Sequence, residues 1–273
     1  MSHVEVHRAL LALIERGERG ALATVVKDAG STPQVAGARL LRRVDGTLVG
    51  TVGGGAVEHA VITLLDQVLV DRRPRLVALD LARDLGMCCG GRMEVFVEPI
   101  EGTPRLVLFG AGHVARAVAA IAPSIGFSVT VVDDREELND AVRFPTATRV
   151  LAEPRDARDE LAITDRDWLL VVTHDHRLDE EALDTFARGP HAYLGMIGSR
   201  RKVKKVLDRI AARGPLPPLE RVYAPVGLSL GAVSPEEIAI SIVAELVAVR
   251  HGLAGKPAVG AHLRDVPDED REP

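Results

Sequence analysis

The chain has 273 residues, enough for two domains that each bury their own core, and a net charge of −5. This acidic balance, without a polybasic stretch, argues against nucleic acid as a partner. The first twenty residues carry charges within their apolar run, which predicts neither a signal peptide nor a membrane span. With only two cysteines, we expect a protein of the reducing cytoplasm that does not contact a membrane.

Residues 1–100 mix helical and strand patterns without a regular alternation, and this predicts an α+β domain. The predicted elements are, in chain order, a helix over 4–16, a strand over 21–27, a hairpin that turns at Asp45-Gly46, a helix over 56–70, and strands over 75–82 and 92–100. The last two strands bracket a loop that contains both cysteines, Cys88 and Cys89, followed by two glycines.

A short linker over 101–104 precedes a more regular pattern over 105–252, and a polar tail covers 253–273. The predicted strands of this second domain are 105–112, 128–134, 167–175 and 192–198, with helices from about His113, Asp179 and Ser199. Apolar strands that alternate with helices are typical of a Rossmann-like parallel sheet covered on both faces. A last helix begins with an N-cap at Ser234, Pro235 at its first position and a capping-box Glu237.

A glycine-rich loop follows the first strand of the second domain. Gly110, Gly112 and Ala115 form a G-x-G-x-x-A pattern, which opens a helix near His113. In dinucleotide-binding domains the glycines permit a tight turn and close approach of a pyrophosphate to the helix N-terminus. Asp133, with Asp134 beside it, stands where an acidic side chain accepts hydrogen bonds from a ribose. The pattern predicts a site for NAD(P) or another nucleotide, or a Rossmann fold that binds none.

Two further loops follow strands of the second domain, at the edge where open α/β sheets bind ligands. The first loop carries His174, Asp175 and His176, which are candidates for a base, metal ligands or a hydrogen-bonding cluster. In the second, Ser199 begins a helix whose first turn is basic from Arg200 onward. Cations at a helix N-terminus oppose the helix dipole. A bound anion would offset them, and a solvated basic face is the alternative.

The first domain carries its own glycine cluster. Gly53, Gly54 and Gly55 precede a helix and offer a second anion cradle, with Glu58 in the first helical turn. Glu58 either contacts a ligand or complements the helix dipole. Gln34 and Arg39 are candidates for recognition of a heterocycle or a phosphate. Cys88 and Cys89 are either inert buried thiols or, on a glycine-flanked loop, thiolates that could bind a soft metal such as molybdenum or carry sulfur.

A family resemblance rests on six stretches that follow one another along the chain. They are GSTPQVAGARLLRRVDGTLVGTVGGGAVEHAV, LGMCCGGRMEVFVEPI, LVLFGAGHVARAVA, VVTHDHRLDE, YLGMIGSRRKV and VGLSLGAVSPEEIAISIVAELVAVRHG. Together they resemble the XdhC/CoxI family from about Ala21 to Gly252. The cysteine-pair stretch is most similar to its xanthine dehydrogenase accessory branch.

The resemblance implies a cytoplasmic maturation factor. Such a protein binds molybdenum cofactor, protects it while a cysteine desulfurase partner installs its sulfido ligand, and promotes its insertion into the xanthine dehydrogenase apoenzyme. On this basis Cys88 or Cys89 contacts the cofactor, and Gly53–Gly55 with the turn that contains Ser31 and Thr32 shapes the pocket. The resemblance also suggests a homodimer.

Two rival functions remain at this point. An NAD(P)-dependent oxidoreductase would use the same Rossmann loop, but no catalytic set beyond His174 and His176 is apparent. A thiol redox protein is disfavoured, because adjacent cysteines form a strained disulfide ring and lack the C-x-x-C spacing. The sequence therefore favours a cofactor-binding maturation factor over a catalyst.

Overall fold

The computed structural model describes residues 3–86 and 90–253. The chain divides into two compact units, residues 1–103 and residues 104–273, which we call unit 1 and unit 2. The division falls within the segment 101–104 that the sequence predicts as a linker. Among the described helices, none has the length and apolar character needed to cross a bilayer.

Unit 1 is built on one antiparallel sheet. Its elements are α1 (His3–Glu15), β1 (Arg19–Ala29), β2 (Arg39–Arg43), β3 (Leu48–Gly50), α2 (Gly55–Asp71), β4 (Arg75–Asp80) and β5 (Arg92–Glu101). The strands lie in the order β3-β2-β1-β5-β4. β2 and β3 form the predicted hairpin, with Leu41 opposite Val49.

The period of two along each strand sends alternate side chains to opposite faces of this sheet. Leu40 packs with Val61 and Leu65 of α2 on one face, whereas its neighbour Leu41 packs with Leu13 of α1 on the other. The apolar spacing of each helix therefore finds a separate apolar face of the sheet, which is why the mixed pattern folds as an α+β unit.

Unit 2 is a parallel sheet with helices between its strands. Its elements are β6 (Arg105–Phe109), α3 (His113–Ile121) with a 3-10 turn (Ala122–Ile125), β7 (Ser128–Val132), β8 (Thr148–Val150), α4 (Arg158–Leu161), β9 (Trp168–Val171), α5 (His176–Ala187), β10 (Tyr193–Met196), α6 (Arg200–Arg213), β11 (Val222–Tyr223) and α7 (Pro235–Arg250). The strand order is β11-β10-β9-β6-β7-β8. This is the doubly wound Rossmann order. The strands are added toward one edge of the sheet from β6 to β8 and toward the other edge from β9 to β11, so the switch point lies between β6 and β9.

Both faces of the unit 2 sheet are covered by apolar side chains, as the near-continuous hydrophobic strands predict. Val107 and Phe109 of β6 contribute to one core, and Leu106 and Leu108 contribute to the other. The predicted capping box at Ser234 is present, since Glu237 and Ser234 exchange hydrogen bonds. The predicted fold class, an α+β domain followed by a Rossmann-like parallel-sheet domain, is thus confirmed.

The sequence analysis missed three short elements of unit 2, namely β8, α4 and β11, each of two to four residues. It also placed the start of α5 three residues late. Asp175 caps that helix by accepting a hydrogen bond from the backbone of Arg177, so the helix begins within the polar loop sequence.

Candidate functional site

Three glycine-containing loops of unit 1 meet, and we call their meeting point the glycine junction. It consists of Gly30–Gln34, Gly53–Gly55 and Gly90–Gly91. A Cβ added at Gly91 would lie 2.3 Å from the carbonyl oxygen of Ser31, and one added at Gly53 would lie 2.6 Å from Cγ of Pro33. The loop that contains Ser31 and Thr32 is therefore held between the other two, at distances that only glycine permits.

The loop before α2 is tied together by its own side chains. The Glu58 carboxylate accepts hydrogen bonds from the Thr51 hydroxyl at 2.5 Å and from the Gly54 N–H at 3.2 Å. Thr51 Oγ1 in turn accepts from the Gly53 N–H at 3.2 Å. Gly53, Gly54 and Gly55 all have positive φ, from 58° to 132°, and a Cβ at Gly54 or Gly55 would meet no described atom within 4 Å. The backbone of this loop is thus fixed in shape and open on one side.

The other unit 1 candidates divide between the junction and the sheet. Cγ of Gln34 would lie 3.7 Å from a Cβ at Gly53, which places Gln34 in the glycine junction. The Arg39 guanidinium instead bonds to His7 of α1, so it is directed to the helix that covers the sheet. Cys88 and Cys89, with the molybdenum contact predicted for them, lie outside the described residues.

The glycine loop of unit 2 lies at the switch point of its sheet. Gly110 has φ of 116°, and a Cβ there would lie 2.5 Å from the carbonyl oxygen of Val172, just beyond β9. Gly112 directly precedes α3 and has extended backbone, and a Cβ added to it would meet no described atom within 4 Å. His113 is the first residue of α3 and is exposed. The loop therefore has the close packing and the open approach that the G-x-G pattern predicts.

Asp133 serves this loop rather than facing outward. Its carboxylate accepts a hydrogen bond from the Ala111 N–H at 2.7 Å, and the Arg135 guanidinium donates two more, at 2.8 and 2.7 Å. Burial raises the pKa of Asp133, but the hydrogen bonds from Arg135 and Ala111 outweigh burial, and the net shift of the pKa is downward. Asp134, by contrast, is exposed.

A second side chain binds the other backbone polar group of Ala111. Arg143 Nη2 donates to the Ala111 carbonyl oxygen at 3.1 Å. Sequence reasoning missed both Arg135 and Arg143, although Arg135 follows the acidic pair directly and its charge was a usable signal. Both polar groups of the Ala111 backbone are thus fixed by residues that follow β7, which gives the glycine loop a rigid form.

The histidine loop after β9 does not bring its two imidazoles together with a third ligand from the described residues. His174 and His176 are both exposed. The buried charged group beside this loop is Asp179 in the first turn of α5, which accepts hydrogen bonds from Thr173 Oγ1 at 2.7 Å and from Lys202 Nζ. Asp179 is fully buried, and His176 Nδ1 lies 4.0 Å from its carboxylate. Within the described part of the chain, no group of three or more His, Cys, Asp or Glu side chains is placed to bind a metal.

Ser199 stands at the start of α6, as the sequence predicts. Its hydroxyl accepts a hydrogen bond from the Lys202 N–H at 3.2 Å and so caps the helix. Arg200 is the first residue of α6 and is exposed. The interaction that ties this helix to the histidine loop comes from Lys202 through Asp179, and sequence reasoning did not anticipate that pairing.

The comparison with protein families agrees with this architecture. Residues 106–246 match the model of the XdhC Rossmann domain, and residues 13–80 match the model of the XdhC and CoxI family. The chain belongs to the XdhC family. The resemblance drawn from the six stretches is thereby confirmed, and both units of this XdhC-family chain are matched by models of the same family.

Two relatives and one solved structure are similar to this chain over most of its length. A protein of Escherichia coli K12 named YqeB is 42% identical over 242 residues, which cover 86% of this chain and 44% of YqeB. A Bacillus subtilis protein, named as a probable subunit of xanthine dehydrogenase, is 27% identical over 91% of this chain and 98% of its own length. A Bacillus halodurans crystal structure described as a xanthine dehydrogenase aligns with a TM-score of 0.52 and 24% identity, over 94% and 98% of the two chains, which shows a shared fold. This chain spans less than half the length of YqeB.

Proposed function

We propose that this chain is an accessory protein of a xanthine dehydrogenase, which binds molybdenum cofactor as cargo and delivers it to the apoenzyme. Membership of the XdhC family and the name of the Bacillus subtilis relative support the link to that enzyme. The finer steps, sulfuration by a cysteine desulfurase and action in the cytoplasm as a homodimer, belong to the same proposal.

The observation that carries the proposal is the glycine junction. Molybdopterin is a phosphorylated pterin that holds its metal through sulfur, so a carrier needs backbone donors for the phosphate, polar groups for the pterin and a soft ligand near the metal. The N–H groups of Gly53 and Gly54 already donate to Thr51 and Glu58. The donors proposed for the phosphate are therefore those at the N-terminus of α2, which begins at Gly55, and Gln34 adds a carboxamide beside this loop. Gly90, which packs near Gly30, directly follows the cysteine pair in the sequence.

The junction also explains why a carrier would need glycine at several positions. A side chain at Gly91 or Gly53 would push the loops apart, since each would collide with the loop that contains Ser31 and Pro33. The three loops must keep their spacing if they are to grip one small molecule together. In this proposal the loops bind and orient the cargo, and a thiolate of Cys88 or Cys89 contacts its metal.

Cofactor retention tests the proposal directly. The full chain is incubated with molybdenum cofactor, passed over a gel-filtration column, and analysed for molybdenum that elutes with the protein. We expect retention by the wild type and by Gly90→Ala, and loss in Gly91→Ala and in the double variant Cys88→Ala/Cys89→Ala. The pairing of Gly91→Ala with Gly90→Ala is a matched control, because a Cβ at Gly90 would meet no described atom within 4 Å.

A wild type that retains no molybdenum, or a double cysteine variant that retains all of it, would contradict the proposal. A second measurement separates a transient factor from a permanent component of the enzyme. The loaded chain should restore activity to xanthine dehydrogenase apoenzyme and then elute apart from the matured enzyme. A stable complex with the mature enzyme would instead indicate a permanent component.

The Rossmann loop supports a second candidate function, the binding of a nucleotide such as NAD(P) at Gly110–Gly112. The rigid glycine loop and the start of α3 favour it. The engagement of Asp133 with Arg135 disfavours the usual contact to the ribose, which leaves the exposed Asp134 as the available acid. Calorimetry with NAD and NADP tests this candidate. Catalytic turnover with either nucleotide would support the alternative function, an NAD(P)-dependent oxidoreductase.

A further inference from the structure

Unit 2 contains a cationic cleft that the proposed function does not use. It has a volume of about 260 Å³. Its lining consists of His176, Ser199, Arg201, Lys202, Lys205, Val206 and Arg209. His176 begins α5 after β9, and Ser199 precedes α6 after β10. The cleft therefore opens at the carboxyl edge of the sheet, where open α/β folds bind ligands, and it is separate from the switch point between β6 and β9.

The charge of this cleft is one-sided. Among the residues that the structure describes, its lining includes four cationic side chains and not one carboxylate. A larger groove of unit 2 shows the usual balance, since five arginines line it together with four carboxylates. The whole chain has a net charge of −5, so an excess of cations in one cleft does not follow from composition.

Two of the four cationic side chains of the cleft already form ion pairs, and two do not among the described residues. Lys202 is paired with the buried carboxylate of Asp179, and Arg209 lies 3.5 Å from Glu180. Arg201 and Lys205 have no ion-pair partner among the residues that the structure describes. They are separated by four positions on α6, where like charges repel one another, and Arg201 also opposes the helix dipole in the first turn. An anion between these two side chains would remove both penalties.

The size of the cleft and its donors indicate the kind of anion. A volume of about 260 Å³ is below the range of about 300–1,000 Å³ typical of sites that enclose a whole drug-sized ligand, and it suits a phosphoryl group with the first atoms attached to it. Arginine forms paired hydrogen bonds with phosphate oxygens and lysine supplies a point charge. The Ser199 hydroxyl and the α6 N-terminus add donors at the same place.

We propose that this cleft binds the phosphate group of a small phosphomonoester. Arg201 and Lys205 hold the phosphate, and Lys202, fixed by Asp179, forms a rigid wall of the cleft. The proposal does not depend on molybdenum cofactor, because the site is defined by residues of α5 and α6 with the Ser199 cap.

The test is an NMR titration of the isotope-labelled full chain with inorganic phosphate at constant ionic strength. We expect saturable shifts in the signals of α6 residues, with a Kd in the range of about 0.1–10 mM that is ordinary for a single small anion. The double variant Arg201→Ala/Lys205→Ala should weaken binding at least about tenfold. Lys204→Ala is the matched control, since Lys204 is an exposed cation of the same helix that does not line the cleft, and it should leave Kd within about twofold.

Further arms of the titration identify the source of the phosphate. Tighter binding of a nucleoside monophosphate than of ribose 5-phosphate would assign a nucleotide, and the reverse order would assign a sugar phosphate. The proposal is overturned if phosphate gives no saturable shift, or if Lys204→Ala weakens binding as much as the double variant does. Because inorganic phosphate is the probe, this result is independent of whether the chain retains molybdenum.

Discussion

Replacement of Asp133 by asparagine tests whether this residue anchors the glycine loop of unit 2. The Asp133 side chain is 4% exposed, and its carboxylate accepts hydrogen bonds from the backbone N–H groups of Ala111 and Arg135 and from the Arg135 guanidinium. An asparagine has one acceptor oxygen, so its NH2 group must face one of these donors. Asp133→Asn therefore leaves a buried donor and the Arg135 charge without their partner.

The expected cost follows from these contacts. Loss of a buried, charge-assisted network of this kind destabilises a protein by about 2–4 kcal/mol. With a urea m-value of about 2 kcal/mol per molar, the unfolding midpoint of unit 2 should fall by about 1–2 M. The chain has one tryptophan, Trp168 of β9, so its fluorescence reports on unit 2 alone.

The matched control is Asp134→Asn, which removes the same charge from an exposed neighbour and should change stability by less than about 0.5 kcal/mol. The pH dependence gives a second check. Because the folded pKa of Asp133 lies below its unfolded value near 3.9, its contribution is fully present above that pH and is lost as pH falls through the folded pKa. The difference between wild type and Asp133→Asn should therefore shrink below about pH 4. Equal midpoints together with weaker NAD(P) binding would refute the anchoring role and restore the ribose contact.

Three other substitutions have defined outcomes. In unit 1, Gly91→Ala should destabilise the fold by about 1–3 kcal/mol and lower the thermal midpoint, because its Cβ collides with the backbone of Ser31. Gly90→Ala should leave the midpoint unchanged. Equal midpoints for the two variants by calorimetry would contradict the glycine junction. Burial lowers the pKa of His191, so the free energy of unfolding of unit 2 should decrease as pH falls below about 6.5. In His191→Gln, urea curves followed by tryptophan fluorescence should show a weaker dependence of this free energy on pH. An unchanged pH dependence would contradict the role of His191. Tyr193→Phe removes the 2.6 Å hydrogen bond to the buried Glu245 and should cost about 1.5–3 kcal/mol in the same assay; no change would show that Glu245 finds another donor.

Local patterns in the sequence predicted most of the elements that build the two units. Apolar spacing in the first domain placed α1 and α2, and the Asp45-Gly46 dipeptide placed the hairpin. The capping box at Ser234 was visible because N-cap, Pro and Glu stand within four residues of one another. These features depend on neighbours in the chain, so the sequence alone contains the information that produces them.

Contacts between distant segments were not readable in this way. A ribose contact was predicted for the pair Asp133-Asp134 and stays a prediction. The sequence did not show that Asp133 binds Ala111, 22 residues earlier, or that the turn after β7 brings Arg135 to the same carboxylate. The ligand contact predicted for Arg39 stays a prediction, and the bond of Arg39 to His7 of α1 was not anticipated. In each case the partner depends on which face of an element is buried, and periodicity alone does not specify it.

The sequence by itself determined the family, the order of the elements and the glycine loops, because each is written in residues close together along the chain. Only the tertiary structure decided that Gly30, Gly53 and Gly91 meet, and that Arg201 and Lys205 share a cleft with His176. Their meeting depends on strand order and helix rotation, which arise from the packing of whole units. The physical reason is that a functional site is assembled from segments far apart in sequence, whereas local signals extend over only a few residues.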